Sequence, residues 1–367
     1  MKSTSGAHFL GLDHVRGLAA LLVVSWHFMH GQYGYPTPFN SVPVVFPLVL
    51  FDEGHVGVSV FMTLSGYLFA KLLDGKQIVF RTFLWNRVLR LAPLLLIVFA
   101  LAGIRAWRQG ELAKYAGDLL SGVLLPTWPN GGWSITVECH FYLALPALLW
   151  MSRRTRWAPL MIVATALCFR ALLHSGGHEV QPVAYWTIIG RIDQFAFGML
   201  AFSLRAMLKG RHAAAALVFL GLCGCYLMFD LSGGFWNPAY PSKSAAWVVL
   251  PAIDGLCLSL LIAWYDTSFQ WRNTGLARWI GKAGDYSYSI YLLHVFIVFK
   301  AAAFVHERIM PLDNFYLSLA WSILFFLLMM PIGYLSYRFI EAPFLAGKRS
   351  YTLRNETEPG RDAPAPS

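Results

Sequence analysis

The chain has 367 residues, of which 57% are hydrophobic and 16% aromatic but only 13% charged, about half the charged share of an ordinary soluble domain. That composition excludes a soluble multidomain protein. The net charge of +10 does not indicate a nucleic-acid binder either, because the basic residues stand in short clusters between apolar runs instead of covering one face.

A spanning helix needs about 20 mostly apolar residues. Ten segments qualify in chain order, near 17–33, 55–73, 88–106, 133–151, 158–174, 186–204, 213–230, 245–265, 286–304 and 315–338. The sequence therefore predicts an all-α polytopic transmembrane bundle, with one membrane domain over 1–345 and a polar, Pro-containing, disordered cytoplasmic tail over 346–367. With the N-terminus in the cytoplasm, 21 of the 29 Lys and Arg fall on inside segments. This is the asymmetry expected of an even number of spans, with both termini cytoplasmic. The opening MKSTSGAHFLGLDHVRG is too polar for a cleaved signal peptide, so the first span is expected to be retained. Cys139, Cys168, Cys223, Cys225 and Cys257 all lie in apolar stretches, which argues against a disulfide framework, and no metal site is expected.

An ionisable side chain inside a span costs about 2.5–3.5 kcal/mol on insertion scales and is a functional candidate for that reason. Arg16 and His27 are eleven positions apart, which leaves about 20° of rotation and about 16 Å of rise on a helix, so one face presents both. The alternative is an anchoring arginine and a hydrogen-bonded core histidine. Arg87 and Arg90, three apart in WNRVLRLAP, share a face at the start of the third span and form a fork suited to phosphates or carboxylates; topology alone could also collect them. Glu138, in WSITVECHFY, needs a cation or donor at that depth. His27 is the partner expected to use it, as a base oriented by a carboxylate, although a structural ion pair would serve as well. Gly57, Ser59, Ser65 and Gly66 read as close helix packing, and Arg170, Arg191, Asp193 and Asp254 as structural charges. His294 and Glu341 are expected at opposite membrane faces. There is no G-x-S-x-G elbow, Walker A loop, G-x-G-x-x-G, H-E-x-x-H or D-x-D pair, which removes the usual support for hydrolase, ATPase, nucleotide-redox and metalloprotease functions. The missing internal repeat likewise weakens a transporter or flippase, which stays as the alternative.

Taken in order, these motifs resemble the acyltransferase-3 family of bacterial integral-membrane acyltransferases, over roughly Leu12 to Phe344. LDHVRGLAALLVVSWHF is similar to the family's opening, with its basic residue and histidine at Arg16 and His27. GHVGVSVFMTLSGYL resembles its glycine-rich second span at Phe61, Ser65 and Gly66, and WNRVLRLAP its paired arginines. WSITVECHFYLALP resembles its Trp-Ser and glutamate span at Trp133, Ser134, Glu138, Phe141, Tyr142 and Pro146. SYSIYLLH and SYRFIEAPF resemble its closing signatures. The sequence departs from the family where Cys139 and His140 follow the glutamate.

The resemblance implies an acyl-CoA co-substrate, most often acetyl-CoA, supplied from the cytoplasm. Arg16, Arg87 and Arg90 would bind it, and His27 with Glu138 would be catalytic. Trp133, Ser134 and Tyr142 would support the site or the acceptor. The acceptor implied is a hydroxyl of a surface or exported polysaccharide, or of its lipid-linked precursor, reached from the periplasmic side of a bacterial inner membrane. A lipid, macrolide or peptidoglycan sugar, or another acyl group, is the enzymatic alternative. Some members carry an added esterase-like domain; none follows here as far as Ser367, so transfer is expected at the membrane domain itself.

Overall fold

The computed structural model describes residues 9–31, 34–39, 42–155, 157–236 and 240–354. Lys2, Arg156, Arg361 and the rest of the expected tail beyond 354 lie outside the described residues. The α-helices run in order: α1 (Leu10–His30), α2 (Val49–Asp52), α3 (Val56–Leu73), α4 (Phe80–Arg108), α5 (Leu112–Ser121), α6 (Trp133–Arg154), α7 (Ala158–Ser175), α8 (Gln181–Trp186), α9 (Ile188–Leu208), α10 (His212–Leu231), α11 (Ala246–Ser268), α12 (Gly275–Asp285), α13 (Ser287–Leu293), α14 (Val298–Arg308), α15 (Phe315–Ser336) and α16 (Ala342–Leu345). Two three-residue strands, β1 (Lys76–Ile78) and β2 (Thr352–Arg354), pair antiparallel.

The all-helical, membrane-embedded class stands. Among the described residues seven helices are long and apolar enough to cross a membrane, and eight if the bent pair Ser287–Phe296 and Val298–Arg308, which turns by 58°, is one span. Each of the ten expected segments falls on a helix or on that pair. The two that fall short of the apolar requirement are α1, interrupted by Asp13, His14, Arg16 and His27, and α9, which carries Arg191, Asp193 and Arg205.

These two polar helices sit at the centre of the bundle. α9 packs along α3 and α11, and α1 along α12, α3 and α15. Glycine allows the closest approaches: a Cβ on Gly66 of α3 would fall on the backbone oxygen of Phe195, and one on Gly198 of α9 on that of Thr63. Small residues at such crossings let helix backbones meet where the lipid gives no hydrophobic drive for association. Gly57 packs the same way against Ala19 of α1.

The buried charges on these helices are satisfied inside the bundle. Arg170 donates twice to Asp193, at 3.1 and 2.5 Å, with both side chains fully buried. Arg191 turns to Ser59 and to the carbonyl of Tyr185, each at 2.8 Å. Ser59 and Tyr226 in turn donate to Asp254, at 2.6 and 3.0 Å. The structural reading of these four charges therefore fits, with Asp193 paired to Arg170 and not to its neighbour Arg191.

The start of the expected disordered tail is folded instead. β2 pairs with β1, and the backbone N–H of Val79 donates to Tyr351 O at 2.8 Å. The side chain of Asn86 clasps Arg349 from both sides, donating to its carbonyl at 2.7 Å and accepting from its N–H at 3.1 Å. Tyr351 is buried, with its ring edge-on to Phe83. Residues 346–354 thus form a strap across the end of α4, held by backbone bonds that composition cannot reveal.

Candidate functional site

Among the described residues, two cavities within the bundle bring the candidate side chains together. The first, of about 150 Å³, is lined by Arg16 of α1, Arg87 and Arg90 of α4, Ser134, Glu138 and Tyr142 of α6, and Lys348 of the strap. Helical spacing explains the set. Residues 134, 138 and 142 recur every fourth position and so share one stripe of α6, while Arg87 and Arg90 share one face of α4. Tyr142 donates its hydroxyl proton to the Glu138 carboxylate. The Arg87 guanidinium stands 5.3 Å from the Phe69 ring centre, 5.4 Å from Phe83 and 5.8 Å from Tyr142, and its buried Nε has no hydrogen-bond partner among the described residues. A planar cation held against aromatic faces retains its fork of donors for an anion. Arg16 is paired with Asp13 at 2.5 Å, which also lines this cavity.

The second cavity, of about 170 Å³, contains His27, His55, His294 and an aromatic wall that includes Trp26, Trp133, Tyr185 and Trp236. His27 Nδ1 lies 2.8 Å from the carbonyl oxygen of Val23, one turn back on α1. A carbonyl can only accept, so the proton of the neutral ring is on Nδ1 and Nε2 carries the lone pair. His294 repeats the arrangement. Its Nδ1 is 3.1 Å from Ile290 O, which leaves its Nε2 to face His27 Nδ1 at 3.4 Å. The two rings meet nearly edge to face, centres 5.0 Å apart. His55 is 1% exposed and stands at ion-pair distance, 3.0 Å, from Glu53, but neither ring nitrogen meets hydrogen-bond alignment. Trp236 Nε1 is likewise buried without a partner among the described residues.

Val58 and Tyr291 line both cavities, so the two chambers meet at these side chains. α1 serves both, as the Arg16 to His27 spacing requires.

The expected site residues divide between the chambers. Arg16, Arg87, Arg90, Ser134, Glu138 and Tyr142 belong to the first, and His27 and Trp133 to the second. The expected His27–Glu138 pair does not form. Glu138 is held by Tyr142, and the neighbours of the His27 ring nitrogen are Val23 O and His294. The reason is the rotation of α6: Glu138, five positions on from Trp133, points about 140° away from it, and Trp133 is the one that faces the histidine chamber. Glu341 accepts from Ser289. The sequence reading missed His55 and Trp236, whose only signal was proximity to motifs, and assigned Lys348 to the tail by composition.

The description matching the chain, over residues 9–338, is an acyltransferase domain, the acyltransferase-3 family. A protein of Komagataeibacter xylinus named as a membrane-bound transacylase, BcsY, is 25% identical over 77% of this chain and 71% of its own. A Bacillus subtilis protein named as a peptidoglycan O-acetyltransferase, YrhL, is 25% identical over 94% of this chain and 56% of its own. The acyltransferase MdmB of Streptomyces mycarofaciens is 25% identical over 78% of each. The chain thus spans little more than half the length of YrhL. No solved structure matches it. With its arginine and histidine chambers set within one bundle of apolar helices, the chain belongs to the acyltransferase-3 family of membrane-bound acyltransferases.

Proposed function

We propose that this protein is a membrane O-acyltransferase that moves an acyl group, acetyl in the simplest case, from acyl-CoA to a hydroxyl of a sugar in an exported or surface polysaccharide or its lipid-linked precursor. The observation that carries the reading is the junction of two unlike chambers at Val58 and Tyr291, one rich in guanidinium and the other holding a histidine whose Nε2 keeps its lone pair.

In this reading the phosphates of the donor bind Arg16, Arg87 and Arg90, and the pantetheine arm runs past the Val58–Tyr291 waist toward His27. The acceptor enters the aromatic chamber, whose Trp and Tyr faces suit a sugar ring. His27 Nε2 takes the hydroxyl proton as the oxygen attacks the thioester carbonyl. The tetrahedral intermediate then expels the CoA sulfur, which recovers that proton from the imidazolium. His294 orients the His27 ring, the role first expected of Glu138. Glu138 acts on the donor side, where it fixes Tyr142 among the arginines. A transient acyl-His27 is the covalent variant, in which the imidazole attacks first and the acceptor oxygen then displaces it.

The same reading makes all ten segments membrane spans, with both termini and the arginine chamber facing the cytoplasm of a bacterial inner membrane. Purified protein given radiolabelled acetyl-CoA and a lipid-linked glycan should label the glycan, and label found on His27 with no acceptor present would select the covalent variant. A protein that moves the lipid-linked sugar across vesicles without labelling it would be a flippase and would overturn the proposal.

A further inference from the structure

The strap brings a fourth cation to the first cavity. Lys348 lines that chamber with Arg16, Arg87 and Arg90, and is only partly exposed there. The segment that carries it is fixed directly after it, by the Asn86 clasp on Arg349 and by β1–β2 pairing at Thr352–Arg354. We propose that Lys348 is a phosphate-binding residue of the donor chamber, installed by the folded strap. The proposal rests on the donor reading above and adds a residue and a proton to it.

The electrostatics agree with the geometry. In the empty chamber, burial and the neighbouring Arg90, Arg87 and Arg16 push the Lys348 ammonium down to about 7, opposed by the Glu341 carboxylate. Asp13 and Glu138 also line the chamber, where they are paired with Arg16 and Tyr142. An entering phosphate reverses the balance, because opposite charge at close range favours the ammonium form. Above about pH 7 the empty site therefore holds a largely neutral lysine and the loaded site a protonated one, so binding takes up a proton. By linkage, affinity must fall as pH rises through that window and level off below it.

The test uses the full chain in nanodiscs and desulfo-CoA, which carries the phosphates without a reactive thiol, titrated calorimetrically in buffers of different ionisation enthalpy. At pH 8, where phosphate monoesters are fully ionised, wild type should take up close to one proton per ligand, and its Kd should rise by about tenfold per pH unit between roughly pH 7.5 and 9. Lys348→Arg should bind at pH 8 with no proton uptake and no such slope, since a guanidinium stays charged. Lys348→Met should bind about tenfold more weakly at pH 7 and also show no slope. Wild-type affinity, slope and proton uptake retained in Lys348→Met would overturn the proposal. If Arg87→Ala weakens binding in that same series, the donor reading stands and only the role of Lys348 falls. No desulfo-CoA binding by wild type would overturn both.

Discussion

His27 owes its usable nitrogen to the helix it stands on. The Val23 carbonyl one turn back holds Nδ1, so the lone pair is on Nε2 before any substrate arrives. His27→Ala should therefore reduce transfer by about 10²- to 10⁴-fold and leave desulfo-CoA affinity unchanged, as steady-state rates and calorimetry on one preparation would show. His294 touches the opposite nitrogen, so His294→Asn should lower kcat with KM nearly constant; a rise in KM alone would indicate a substrate contact instead. Arg87→Ala should weaken donor binding by about ten- to a hundredfold, the range for a lost charged hydrogen bond. At this scale the sequence was informative within each helix and blind between helices. The Arg87–Arg90 face and the shared face of Arg16 and His27 follow from 3.6 residues per turn. Which helix supplies the neighbour of His27 depends on the rotation of α6 and on a histidine 267 positions away, and neither is encoded in local spacing.

The elements themselves were legible because apolar length determines them, and so each expected span lies on a helix. Their interruptions were less so. The 58° bend before α14 has no proline or glycine at its junction to announce it, and the strap is made by backbone pairing between segments more than 270 residues apart. The α3–α9 crossing gives a test of packing. Gly66→Leu would drive a side chain into the Phe195 backbone, and folded yield in detergent should collapse. The α7–α9 contact gives a test of charge. Arg170→Met strands Asp193 at full burial, and breaking such a pair costs about 3–5 kcal/mol, visible as a lowered thermal midpoint. The double variant Arg170→Met/Asp193→Leu should recover much of that loss, because the penalty comes from the orphaned charge.

On the scale of the whole molecule, two chambers of unlike lining meet at one waist, formed by Val58 and Tyr291. Tyr291 closes that waist with its ring against Phe61, centres 6.0 Å apart, and its hydroxyl near Gly131 O. The side chains at this waist separate the two chambers. A bacterial inner membrane, the location proposed above, stores energy as a proton gradient, and a water column through any resident protein would discharge it. In the proposed reading Val58 and Tyr291 act as the electrical insulation between two baths, with the acyl thioester as the plug that replaces them during turnover. Proteoliposomes containing Tyr291→Ala should lose an imposed pH difference faster than those with wild type or Tyr291→Phe, as read by an entrapped dye.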